Sequence, residues 1–195
     1  MPKFEKLGYG QVEPNRLTGI KQGRVLADVP VNPTTVKTLG GYVENGIFLA
    51  WNPGEGLEGN LKKGELNLPA VDSTIIGLVY SEVKLYSQFT SNKDFALFTK
   101  APSLNQMTQS PYYDKAEANH ETVIPRLIGL TVGDVFTTNN LEGTPSPGDV
   151  LKINASTGLL DAAGTVDKIQ VKVTDITTMA DGQAAVKVVV IAANA

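Results

Sequence analysis

Apolar residues in much of this chain recur with a period of two or in short unbroken runs, and over the last seventy residues turn-forming residues break them up about every 8–12 positions, the spacing of a sandwich or barrel. The clearest case is Ile169, Val171 and Val173 alternating with Gln170, Lys172 and Thr174. That is the pattern of a strand with one face in a core and one in water. Asp181-Gly182 then turns the chain into Ala184-Ala185-Val186-Lys187-Val188-Val189-Val190-Ile191, a strand expected to be partly buried on both sides. Val150–Ile153 and Gly158–Leu160 flank Asn154-Ala155-Ser156-Thr157 as a hairpin. Leu127–Leu130 and Val135-Phe136 are strand-like, and Gly143–Gly148 is a turn cluster.

The first half reads similarly from residue 41 onward. Tyr42-Val43 and Ile47-Phe48-Leu49-Ala50-Trp51 surround Glu44-Asn45-Gly46. Asn-Gly between two such runs predicts a hairpin with a type I′ turn, which requires positive φ at both central residues. Asn52–Gly64, rich in glycine, is a loop. Ile75–Tyr80 is a continuous apolar strand, with Val83, Leu85 and Phe89 continuing it at period two, and Phe95–Phe98 supplies another. Pro102 and Pro111 interrupt the pattern that follows, and Tyr112–Glu121 is polar enough for one short helix, which Pro125 stops. Residues 1–40 carry Gly8, Gly10, Pro14, Gly19, Gly23, Pro30 and Pro33, with one short strand possible at Lys21–Val29. They read as an extended arm, either disordered or one that orders against a neighbour. The expected fold is therefore all-β: two small β-sandwich-like or barrel-like regions, 41–110 and 127–195, joined by a connection at 111–126 and preceded by an extended N-terminal arm, 1–40. Ile76-Gly77-Leu78-Val79 echoes Ile128-Gly129-Leu130-Thr131, which leaves related halves open.

Composition narrows the classes. The 195 residues are 42% hydrophobic, enough for one sizeable core or two small ones, and only 19% charged, below the roughly 25% usual for soluble domains. With no cysteine, disulfides, thiolate metal sites and cysteine nucleophiles are excluded. The net charge of −3 argues against nucleic acid as a partner. The longest apolar stretch, Val188–Ala193, is far short of the ~20 residues of a membrane span. The opening Met1-Pro2-Lys3-Phe4-Glu5-Lys6 has no apolar leader segment. Neither nucleic acid nor membrane is an expected partner.

No catalytic constellation emerges. His120, the single histidine, lies in polar Asn119-His120-Glu121 and reads as a surface residue. Gly54-Glu55-Gly56-Leu57-Glu58-Gly59 fits the dinucleotide fingerprint in form only, because its two carboxylates would repel a pyrophosphate. Glu55 with Glu58, or Asp134 with Glu142, could form a glycosidase-type pair, but no aromatic groove surrounds them. Asp149, Asp161, Asp167, Asp175 and Asp181 lack the spacing of a calcium loop. No cofactor or resident metal is expected. The candidate contact residues are aromatic: Trp51, which ends an apolar run before a glycine-rich loop and reads first as a core or loop-anchoring residue, and Tyr112 and Tyr113, the better candidates, since tyrosine is enriched at interface hot spots.

Two stretches carry a resemblance. Gly46-Ile47-Phe48-Leu49-Ala50-Trp51-Asn52-Pro53-Gly54, followed after a loop by Ile75-Ile76-Gly77-Leu78-Val79, is similar to the central pattern of phage head-decoration proteins of the lambda type. In that pattern a strand ending in a small-Trp-polar-Gly turn is met by a later returning strand. Pro147-Gly148-Asp149-Val150-Leu151-Lys152-Ile153-Asn154 with Gly158-Leu159-Leu160, and Ile128–Asn139, resemble hairpins of phage structural proteins. Together they span about a third of the chain. The resemblance implies a non-enzymatic virion protein on the capsid surface, made in the host cytoplasm. It would bind the major capsid protein and act as a homo-oligomer, a trimer among the options. The alternatives are a phage tail, baseplate or head-fibre component, and a carbohydrate-binding β-module.

Overall fold

The computed structural model describes residues 10–27, 31–40, 42–53, 64–80, 84–87, 90–94, 97–98 and 125–193. The protein is mostly β and is built on two antiparallel sheets, neither closed into a barrel. The six-stranded sheet runs in the order β1 (Val12–Arg16), β11 (Val135–Thr138), β15 (Ala184–Ala192), β14 (Val166–Thr178), β12 (Val150–Ile153), β13 (Leu160–Asp161). The five-stranded sheet runs β2 (Val25–Ala27), β10 (Leu127–Ile128), β6 (Ile75–Val79), β4 (Phe48–Pro53), β5 (Gly64–Asn67). Two small ladders complete the strands: β3 (Tyr42–Val43) with β9 (Leu97–Phe98), and β7 (Lys84–Ser87) with β8 (Thr90–Asp94).

The two sheets face each other across one apolar layer. The six-stranded sheet contributes Val12, Phe136, Leu151, Ile153, Val171, Val173, Val186, Val188 and Val190. The five-stranded sheet answers with Phe48, Ala50, Ile76, Leu78 and Ile128. In the six-stranded sheet the other face is solvated, which is why β14 alternates: Val171 and Val173 are buried while Lys172 and Thr174 are exposed. The five-stranded sheet is covered twice. Its second face packs Leu49, Leu66, Val79 and Leu127, with neighbouring Ile47, against Val31 and Val36. Burial on both faces requires apolar residues at successive positions, and the unbroken runs Ile47–Trp51 and Ile75–Tyr80 supply them. The joint is close: Phe48 N–H donates to the Gly158 carbonyl at 2.7 Å, and a Cβ at Gly158 would sit 2.6 Å from the Phe48 oxygen.

Several expectations are met and others corrected. The hairpin around Asn154–Thr157 forms, with Ile153 opposite Leu160, and Asp181-Gly182 joins β14 to β15. The Ile-Gly-Leu echo pairs with itself inside one sheet, with Ile128 opposite Leu78. Asn45-Gly46 does turn the chain, but not as a type I′ hairpin. Only Gly46 has positive φ (92°), no described non-glycine residue does, and β3 and β4 enter different sheets. Residues 10–27 and 31–40, expected within an extended arm, instead supply β1, α1 (Thr18–Lys21), β2 and α2 (Pro33–Thr38). The prolines misled for a physical reason. Pro33 occupies the first turn of α2, where a missing N–H costs nothing, and Asn32 Oδ1 caps that helix by accepting from Thr34 N–H at 2.9 Å. Pro14 sits on an edge strand that has a register shift and two exposed charges, Glu13 and Arg16. These features blunt the edge against further pairing. The two sheets also cross the expected regional boundary, since β10 joins strands from the first half. Residues 1–9 and 101–124, with most of the connection at 111–126, lie outside the described residues.

This arrangement makes β1 part of the core. Val12→Ala is expected to lower stability by about 1.5–3 kcal/mol, the value of two fully buried methyl groups plus the space they leave. Glu13→Ala should shift it by less than about 0.5 kcal/mol. Urea denaturation of both variants decides the matter; equal, near-zero effects would restore the free arm.

Candidate functional site: a buried polar tie

Polar residues collect where four chain segments meet at one end of the sandwich. Gln11 precedes β1, Glu44 and Asn45 lie between β3 and β4, Asn139 and Asn140 follow β11, and Gln183 closes the β14–β15 turn. All six are at most 7% exposed. Their bonds cross large sequence separations. Asn139 Oδ1 accepts from Gln11 N–H at 2.7 Å, and Asn139 Nδ2 donates to Gln183 Oε1 at 3.2 Å. Gln11 Nε2 and Gln183 Nε2 each donate to Asp181 Oδ2 at 2.7 Å. Asn140 Nδ2 donates to the Asn45 carbonyl at 3.0 Å and, at 3.4 Å, to Glu44 Oε2. Thr138 Oγ1 donates to the Gln11 carbonyl at 2.8 Å and accepts from Asn140 N–H at 3.0 Å. The packing leaves no slack: a Cβ on Gly10 would lie 2.6 Å from Asn140 Cγ, and one on Gly46 would lie 2.9 Å from Thr138 Oγ1.

The chemistry of this cluster is recognition between amides. Its groups are carboxamides, one hydroxyl and two carboxylates, each engaged with another segment of the chain, an arrangement that fixes loops. Among the described residues no group of three His, Cys, Asp or Glu side chains could hold a metal.

The residues singled out from sequence fall elsewhere. Trp51 is on β4, opposite Leu66 and Ile75, half-buried against the second apolar cluster. Its Nε1 is buried without a hydrogen-bond partner among the described residues. Tyr112, Tyr113, His120, Glu55 and Glu58 lie outside the described residues. Asp134 and Glu142 form no pair, because each has its own partners. Asp134 accepts from Thr18 N–H and Thr131 N–H, both at 2.9 Å, fastening α1 to the turn before β11. Glu142 Oε2 accepts from Asn154 Nδ2 at 3.0 Å. Asp149 accepts from Ser146 N–H at 2.8 Å in a turn. Asp161 accepts from Asn154 Nδ2 at 3.2 Å and from Ala163 N–H at 3.0 Å.

Sequence reasoning missed the polar tie. Its only linear signals were Asn139-Asn140 at a strand end and Glu44-Asn45-Gly46, and polar residues in turns are ordinarily solvated. No protein-family profile matches the chain, and neither a curated protein nor a solved structure matches it.

Asn140→Ala removes at least two side-chain hydrogen bonds inside a desolvated cluster. It is expected to cost about 2–4 kcal/mol, more than one exposed hydrogen bond, because buried polar atoms lose partners that water cannot replace. Asn32→Ala, at an exposed helix cap, should cost only about 1 kcal/mol. The ranking of the two midpoints in urea checks this.

Proposed function

We propose that this protein is a non-enzymatic structural protein of a phage virion, a decoration or minor capsid protein that binds the assembled major-capsid shell and stabilises it. The observation that carries the reading is the pairing of the two parts of the first stretch on which the resemblance rests. Residues 46–54 contain β4 and residues 75–79 form β6. These are adjacent antiparallel strands, with Phe48 opposite Leu78 and Trp51 opposite Ile75. A tryptophan-bearing strand met by a returning strand is the part of the decoration-protein pattern that this pairing supports; β4 runs on past Trp51 to Pro53, so Trp51 lies within the strand and not in its turn. The second stretch, 147–160, forms the β12–β13 hairpin and adds to the same reading.

The physical requirements agree. A cement protein acts by burying area at subunit junctions and repeating modest contacts over many equivalent sites, with avidity when it is itself a multimer. A rigid two-sheet body with loops at its ends suits that work, since binding concentrates on loops held by a scaffold. The contacts fall to residues 54–63 and to Tyr112 and Tyr113, which lie outside the described residues, and the partner is the major capsid protein. Occupancy of a site at a hundred times its Kd stabilises the assembled state by about 2.7 kcal/mol.

Purified protein added to shells that lack it should saturate at a stoichiometry matching the capsid lattice and raise the temperature at which packed shells rupture. Tyr112→Ala with Tyr113→Ala should weaken binding without lowering the melting temperature of the free protein. Failure to bind shells, with binding to tail tips or to glycans, overturns the reading in favour of a tail component or a carbohydrate-binding module.

A further inference from the structure

The chain contains one Asn-Gly dipeptide, Asn45-Gly46, and one Asp-Gly dipeptide, Asp181-Gly182. These pairs are the most prone to form succinimides, because a following glycine has no Cβ to hinder attack of its nitrogen on the side-chain carbonyl carbon. They are far apart in sequence, yet both touch the polar tie, Asn45 from within it and half-buried Asp181, beside exposed Gly182, from its rim. The Asn45 carbonyl accepts from Asn140 Nδ2, and Asp181 Oδ2 accepts from Gln11 and Gln183.

In both pairs the attacking nitrogen is occupied. Gly46 N–H donates to the Val79 carbonyl at 3.0 Å, and Gly182 N–H donates to the Met179 carbonyl at 2.9 Å. Each glycine is held at positive φ, 92° and 86°. A nitrogen committed to a carbonyl must break that bond and lose its proton before it can reach the preceding Cγ. Asn45 is also only 2% exposed, so the water needed to open the ring is kept away.

We propose that the polar tie is a chemical lock that prevents covalent ageing at Asn45 and Asp181, and that its opening converts both into modification sites. At Asn45 the Gly46 nitrogen bonds to Cγ and the Cγ–Nδ2 bond breaks. Nδ2 leaves as ammonia, carrying the proton that Gly46 nitrogen loses. Water then opens the imide to aspartate or isoaspartate. At Asp181 the ring closes with loss of one water and opens by taking one up, giving isoaspartate without a change of mass. Either product at position 45 resists reclosure. Aspartate sets a new carboxylate beside buried Glu44, and isoaspartate adds a methylene to a backbone already in contact with Asn140. Opening is therefore irreversible once the chemistry has followed it.

The test is peptide mapping by mass spectrometry of the full chain incubated in warm, mildly alkaline buffer, with fragmentation that distinguishes isoaspartate. In folded protein, conversion at Asn45 should be at least about a hundredfold slower than in urea-unfolded protein, since it must await a local opening. Asn140→Ala, kept under conditions where circular dichroism shows it folded, should convert Asn45 at least about tenfold faster than folded wild type and also speed Asp181. If that variant does not fold, wild type in urea concentrations below its unfolding transition serves instead, and conversion at both sites should rise together before global unfolding. The proposal is overturned if folded wild type converts Asn45 at the unfolded rate. It is equally overturned if neither the variant nor sub-transition urea changes the native rate.

Discussion

The two sheets have one apolar layer between them, and everything else in the structure follows from having to close it. Phe48, Leu78 and Ile76 on one side and Phe136, Val188 and Val171 on the other are each at most 1% exposed. Neither set could be withdrawn from water by its own sheet. The outer face of the six-stranded sheet can remain wet, while the five-stranded sheet needs a third layer, which α2 and Val31 provide. That is why the N-terminal segment cannot be an appendage. It supplies β1 at the edge of one sheet, β2 at the edge of the other, and part of the cover on the far side.

Closing a sandwich leaves its ends as a problem, because turns bring backbone polar groups to the rim of a dry core. Here four segments solve it jointly. Gln11, Asn45, Asn139 and Asn140 satisfy one another and the Asp181 turn instead of relying on solvent. Such a network is an all-or-none device: complete, it fixes the relative positions of β1, β4, β11 and the β14–β15 turn; incomplete, it costs more than an apolar replacement. Its dependence on two dipeptides of low chemical stability links the folding of this rim to the working lifetime of the protein. A protein proposed to sit on a shell for long periods gains from such protection.

Much of the fold was legible in the sequence. The period-two alternation at 169–173 gave a half-buried strand, and the unbroken runs at 47–51 and 75–80 gave strands, while their burial on both faces came only from the packing. The turn residues Asn154–Thr157 and Asp181-Gly182 marked real hairpins. What could not be read was pairing between distant segments. Asn45-Gly46 marks a turn, but the choice between a hairpin and a crossing from a small ladder into a sheet depends on where Val79 lies. Pro33 signals either a helix breaker or a helix start, and only the packing of Val36 and Leu39 under the five-stranded sheet selects the start. The polar tie was hidden for the same reason, since Gln11 and Asn139 are 128 residues apart and nothing local distinguishes them from solvated turn residues.

The most direct test of a single shared core is native-state hydrogen exchange followed across a urea series. It would monitor the amides of Gln11, Phe48, Val79, Val173 and Val190, each of which donates a hydrogen bond between segments. If the two sheets and the N-terminal strand fold as one unit, all five should exchange through the same opening, with a common free energy near the global value and a common dependence on urea. Exchange of Phe48 and Val79 through a separate, smaller opening, or unprotected exchange of Gln11 while Val173 and Val190 stay protected, would contradict the account.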